Sequence, residues 1–579
     1  MRTTWFISAA LFLLVGGGAA TAEDAPGIFE SPMPPVPVSQ IDKLVFAKLS
    51  SLGIQPALCS DAVFVRRAYL DVIGTLPTAE QAREFIQDQD AKNKRRLLID
   101  RLIERDEFAD YWAMKWGDVL RIKAEFPVNL WPNAAQAYHR WVWASIAANK
   151  PYDTFVREML TSSGSNFRVG PVNFYRAIQN RTPEGTAMAV ALTFMGTRAD
   201  AWPKERLSGM AVFFAKVGYK PTREWKEEHV FWDPYKAAEA AAKSAPDKAA
   251  TPAPQSAAAA PVVTAPVVTA PTAAMFPDGT KIQLSPDRDP REVFADWLIT
   301  PTNPWFTRSI ANRVWAWLLG RGIIHEPDDI RADNPPGNPE LLACLEKELI
   351  ASHYDLKHLY RLILNSQTYQ LSAMPGAKAG APASGPAEAN FGSYAIRRLD
   401  AEVLIDAINK ITGTSDLYTS PIPEPFTYIP ADKPAIAIAD GSITSPFLAL
   451  FGRSARATGM ENERNNKPVP AQWLHMLNSS HVQRKLDQGP KLKAIFESGR
   501  KPEEIIEELY LTILSRPPTR AEVEIALEYG NPVKVNKPPA GNKPGAAAKP
   551  VKVYPIKRHD DWVDIAWALI NSEEFLYRH

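Results

Sequence analysis

The chain is poor in the residues that mark redox and metal proteins. Cys59 and Cys344 are the only cysteines among 579 residues, which excludes a disulfide framework and any C-x-x-C motif. They could form one bridge between the two halves or remain as two buried thiols. Nine histidines form no tight cluster, and His353 and His358, five apart, do not share a helical face. No metal site is therefore expected. Asp328, Asp329 and Asp333, in a proline-rich loop, are weak oxygen-donor candidates without EF-hand spacing. An excess of one charge is also missing: Lys+Arg 66 balances Asp+Glu 65, so no nucleic-acid partner is expected. Past the N-terminus no apolar run is long enough to span a bilayer, so the mature chain should have no transmembrane segment. The motifs H-E-x-x-H, P-loop and G-x-S-x-G are absent, and catalytic residues stay unassigned.

What is present begins with an export signal. Arg2 precedes the apolar run Trp5 to Val15, and Ala20-Thr21-Ala22 forms an A-x-A cleavage pattern, so residues 1–22 read as a signal peptide. The mature chain is then expected in the periplasm, at the cell surface or outside the cell. With 45% hydrophobic and 23% charged residues, it has the composition of an ordinary folded protein. From Ala237 to about Thr272 it is dominated by Ala and Pro, with Ala-Pro-Val-Val-Thr repeated. Such a stretch cannot bury a core. The organisation expected is a helical domain over 38–235, a disordered Ala/Pro-rich linker over 236–280 and a second helical domain over 281–579. The segments 373–389 and 531–550, rich in Gly, Pro and Ala, read as surface loops.

Between these breaks the apolar residues recur at helical spacing: Phe108, Trp112, Trp116 and Val119; Ile310, Val314, Trp317 and Leu318; Ile505, Ile506, Leu509 and Ile513. Alternating patterns are scarce, so the expected fold class is all-α. One echo recurs. Tyr69-Leu70 is followed by Pro77-Thr78-x-x-Gln81, and Tyr510-Leu511, at the same distance, by Pro518-Thr519-x-x-Glu522. Each reads as helix, proline turn, then a second helix opened by a capping box.

Two places pair arginines with a carboxylate: Arg66, Arg67 and Asp71, and Arg397, Arg398 and Asp400. They are the ligand-binding candidates, for an anionic or sugar ligand. The plainer reading of both is buried ion pairs that tie helices together. Tryptophan, 16 in all, concentrates in 112–143 and 297–317. Helical spacing assigns these rings to the core rather than to an exposed sugar-stacking row.

The segment Phe64-Val-Arg-Arg-Ala-Tyr-Leu-Asp-Val-Ile-Gly-Thr-Leu-Pro-Thr resembles the opening of a planctomycete cytochrome-associated domain of unknown function, PSCyt-type. Phe194-Met-Gly and Phe213-Phe-Ala are similar to its later landmarks. Asn312-Arg-Val-Trp, Ser366-x-x-Tyr-Gln, Arg397-Arg-Leu-Asp-Ala-Glu and Leu569-Ile-Asn-Ser-Glu-Glu-Phe are similar to those of its companion, PSD-type. The resemblance implies an envelope protein. Many relatives carry C-x-x-C-H, the attachment pattern for c-type haem, where this chain reads Thr197 to Arg206 without Cys or His. Relatives also often carry C-x-C where this chain has Met460 to Glu463. No haem and no other cofactor is expected.

The function expected from these readings is an exported cell-envelope binding or scaffolding protein without its own covalent haem, with an envelope protein or glycan as partner. One alternative is an enzyme acting on extracellular polysaccharide or sulfated sugar, with Asp71 and Asp400 as acid and base. Another is an electron-transfer accessory that docks to a haem protein.

Overall fold

The computed structural model describes residues 28–236, 272–373, 386–530, 554 and 556–579. The expected signal peptide, most of the expected linker and most or all of each expected surface loop lie outside the described residues. The fold is mainly helical but not strictly all-α, a correction to the class expected from periodicity. Among the described residues three small antiparallel sheets occur. Val217–Pro221 and Glu228–Trp232 pair with Val217 opposite Trp232 and Tyr219 opposite Val230, cross-strand combinations of β-branched and aromatic residues that favour pairing. Gly164–Ser165 adds to the same sheet. Thr272–Met275 pairs with Lys281–Leu284 through the turn Pro277-Asp278-Gly279, where Gly279 takes φ +92 and supplies the left-handed geometry. Regular structure thus resumes at Thr272, inside the span expected to be linker as far as 280. A third pairing, Arg397–Arg398 with Tyr577–Arg578, ties the last residues to the middle of the chain.

The two halves do not stand apart. Trp112 and Trp116, from the helix Asp106–Val119, meet Trp317, from the helix Phe306–Leu319, at ring distances of 5.5 and 5.7 Å. One continuous buried cluster runs through both halves. Each buried indole of this kind removes roughly 150–250 Å² from water, worth about 4–6 kcal/mol before entropy losses. Trp112, Trp116, Trp315 and Trp317 therefore belong to the core, as their spacing implied, and the half-buried Trp131, Trp141, Trp143, Trp297 and Trp305 pack against it. The backbone interlocks as well. The Cys59 amide donates to the Gln370 carbonyl (2.9 Å), Ser372 to Ala57 (2.7 Å) and Gly441 to Ile122 (2.9 Å). Cys59 and Cys344 are both free thiols.

The echoed helix pairs form as expected and pack on each other. Thr78 caps Ala79–Gln87 and Thr519 caps Arg520–Glu528, each in a capping box with Gln81 or Glu522. Ala79 and Ala82 bury against Leu511, and Arg83 pairs with Glu508 at 3.0 Å.

Candidate functional site

The helix Asp61–Val72 is buried on nearly every side, so its polar residues must find partners inside the protein. Asp71 accepts from the Tyr369 hydroxyl (2.9 Å), the Tyr394 hydroxyl (2.7 Å) and Arg578 Nη1 (3.2 Å). Arg578 Nη2 donates to Asp400 Oδ2 at 2.9 Å, and Lys115 pairs with the same oxygen at 3.0 Å. A single guanidinium thus bridges the two carboxylates singled out in the sequence. Both are sealed from solvent, at 1% exposure each. Burial pushes the Asp400 carboxyl up, but Lys115, Arg578 and Arg464 together hold it well below the usual carboxylate range. Gly74, in the same motif, takes φ +63, and a Cβ there would lie 2.5 Å from the Tyr111 ring. Its absence lets Tyr111 lie close, and the Tyr111 hydroxyl accepts from Arg578 Nη2 at 3.1 Å.

The network continues through the helix Ala401–Thr412. Glu402 takes Arg464 (2.5 Å) and Arg453 (3.1 Å), and Arg464 and Arg456 both pair with Asp118 (2.7 and 3.0 Å). Burial raises the Glu402 carboxyl, yet Arg464 and Arg453 outweigh it and bring it to about 2.

The remaining arginine candidates mostly donate to main-chain carbonyls at element ends. Arg66 donates to the Ile513 and Phe575 carbonyls (both 2.9 Å), at the ends of Pro502–Leu514 and Glu573–Leu576. Arg67 donates to the carbonyls of Tyr369, Leu371 and His579. Arg397 closes Phe306–Leu319 through Trp317 (3.0 Å) and Leu318 (2.8 Å), and Arg398 donates to Phe451 (2.6 Å). Carbonyls in a last helical turn have no intrahelical partner, and a cation there also meets the negative end of the dipole. All six candidates are therefore brought into one neighbourhood, but as internal ties. Asp328 is taken by Arg313 at 2.8 Å, while Asp329 and Asp333 both face Arg331. Among the described residues no cluster of three His, Cys, Asp or Glu could hold a metal ion.

An open cleft lies elsewhere, between the helix Pro132–Ala147 and the loop 425–443, with a volume of about 580 Å³. Asn133, Gln136, His139 and Arg140 line one side at helical spacing. Phe426 and Tyr428 stand on the other, 51% and 74% exposed. Inside, Asp440 uses Oδ1 for the amides of Ala124 and Ser442, both at 2.8 Å. Its Oδ2, His139 Nε2 and Thr427 Oγ1 are buried without a hydrogen-bond partner. Burial, with Arg456 and Lys433 adding to it, lowers His139 to about 3, so the ring is neutral at pH 7. No periodic pattern pointed to this loop. The available signal was the aromatic content of Pro421-Ile-Pro-Glu-Pro-Phe-Thr-Tyr-Ile-Pro430, a run too rich in proline to be a helix.

A family model described as PSCyt2, a protein of unknown function (DUF1549), matches residues 40–201. A second, PSD1, a protein of unknown function (DUF1553), matches residues 290–530. The chain belongs to the two-domain PSCyt–PSD family. Neither the comparison with curated proteins nor that with solved structures gave a match. The buried ionic network, with Asp71, Lys115 and Asp118 from the PSCyt2 unit and Asp400, Glu402 and Arg464 from the PSD1 unit, is the seam between the two. The open cleft also spans both units. Residues 197–206, which begin inside the PSCyt2 match and run just past its end, hold no Cys or His and do not fit covalent haem. That interval and the PSD1 segment with Met460 meet at a shallow groove of about 330 Å³, lined by Arg198, Ala199, Asp200, Thr458 and Met460. Beside it, Trp202 is covered by the Arg206 guanidinium at 4.0 Å.

Proposed function

We propose that the chain is an exported binding or scaffolding protein of the cell envelope, without covalent haem of its own, that engages an envelope protein or glycan. One observation carries the reading: Asp71 and Asp400 share Arg578 inside the core, each sealed from solvent at 1% exposure. An acid and base for glycoside cleavage must flank a substrate and need different proton affinities. These two instead neutralise one cation and hold the units together. The Ala20-Thr21-Ala22 pattern supports export. Among the described residues no helix is long and apolar enough to cross a membrane.

The test is turnover. Purified chain incubated with envelope polysaccharides should release no reducing ends above a heat-treated control. Turnover that disappears in Asp71→Asn or Asp400→Asn, with melting temperature retained, would overturn the reading. One observation favours the second reading, an enzyme acting on extracellular polysaccharide or sulfated sugar: the open cleft holds a carboxylate oxygen and an imidazole nitrogen that are unengaged.

A further inference from the structure

Three buried polar side-chain atoms without hydrogen-bond partners converge on one cleft, and each unmade hydrogen bond leaves a desolvated group uncompensated. Asp440 is 1%, Thr427 7% and His139 8% exposed, and all three line the cleft between the PSCyt2 and PSD1 units. Their chemistry is complementary to hydroxyl groups. A carboxylate oxygen accepts, a hydroxyl does both, and a neutral imidazole nitrogen does either according to tautomer. The rim is aromatic. Phe426 and Tyr428 are exposed, and Phe426 lies 5.4 Å from the Trp131 ring at 58°. Trp131 holds φ +72 with ψ 148, a conformation nearly confined to glycine that costs a bulky residue about 1–3 kcal/mol. Such strain persists only where the surroundings fix it, and here it sits where the helix Pro132–Ala147 enters the cleft.

Resting on the binding reading above, we propose that this cleft is a glycan site: Phe426 and Tyr428, the former backed by Trp131, stack on sugar ring faces, while Asp440, His139 and Thr427 hydrogen-bond the ring hydroxyls. A sugar ring offers an apolar C–H face and an equatorial belt of hydroxyls, which match an aromatic rim over a polar floor. The volume of about 580 Å³ falls among ordinary ligand pockets and exceeds what a single ring would fill.

The site is tested by titrating the purified chain with cellohexaose, xylohexaose, mannohexaose and chitohexaose, following tryptophan fluorescence and calorimetric heat. At least one should bind saturably. The double variant Phe426→Ala/Tyr428→Ala, which alters exposed rings, should bind it about tenfold more weakly or worse at an unchanged melting temperature. Asp440→Asn should weaken the same sugar further. Failure of all four sugars to bind, or wild-type affinity in the double variant, overturns the glycan assignment. If the sugars fail while crosslinking captures a stoichiometric envelope protein, the glycan site falls and the binding reading stands. If both fail, both fall.

Discussion

Arg578 is the residue on which the seam between the units most depends, since among the described residues it alone pairs with both Asp71 and Asp400. Replacing it with Met leaves two carboxylates in the core with fewer counter-charges. Loss of one partner from a buried pair typically costs about 3–5 kcal/mol, and urea denaturation should show a loss of that order. Asp406 gives a pH-dependent counterpart. Burial, reinforced by Glu402 and Asp416, pushes its carboxyl up to about 7 despite the amides of Ala435 and Ile436 donating to it. A carboxyl raised in the fold favours the protonated state. Its contribution to stability is therefore complete below its unfolded value near 4 and is lost as pH rises through about 7. Wild-type stability should decline across that window relative to Asp406→Asn, measured by denaturation at successive pH values; a parallel profile would refute the assignment. That the paired arginines are buried was legible in sequence, but not their partners: Asp71 and Asp400 take Arg578 and Lys115 instead, and Arg66, Arg67 and Arg398 take main-chain carbonyls. Closing the carbonyl ends of elements remote in sequence was not legible, since it depends on packing that no local pattern encodes.

At the scale of elements, the helices followed from apolar stripes and caps. The two proline-turn pairs were readable down to their capping boxes, because cap chemistry is local. Thr78→Ala and Thr519→Ala should each cost about 1 kcal/mol in chemical denaturation; two neutral substitutions would mean that packing alone sets those helix starts. The small sheets were missed because strands of two to five residues are too short to show a period. The cleft loop was missed for a related reason: 425–443 is mostly irregular backbone, and its aromatic and polar residues converge only once Asp440 anchors it to Ala124.

Across the whole molecule, compositional breaks separated two units, yet the fold merges them through one core, paired backbone at 57–59 with 370–372 and a shared ionic seam. The account therefore expects a single calorimetric transition for the chain, and residues 28–236 expressed alone should fail to give a cooperative melt. Two separated transitions would contradict the merged core. Such a body can present composite surfaces, as the cleft between the units does, and the function proposed for it is to hold a partner. The most direct test is affinity purification of the tagged chain from the cells that make it, envelope fraction included, with crosslinking and mass spectrometry. The account predicts a stoichiometric protein partner or a retained glycan, bound without being altered. Recovery of neither, or of a polymer that the chain degrades, would contradict it.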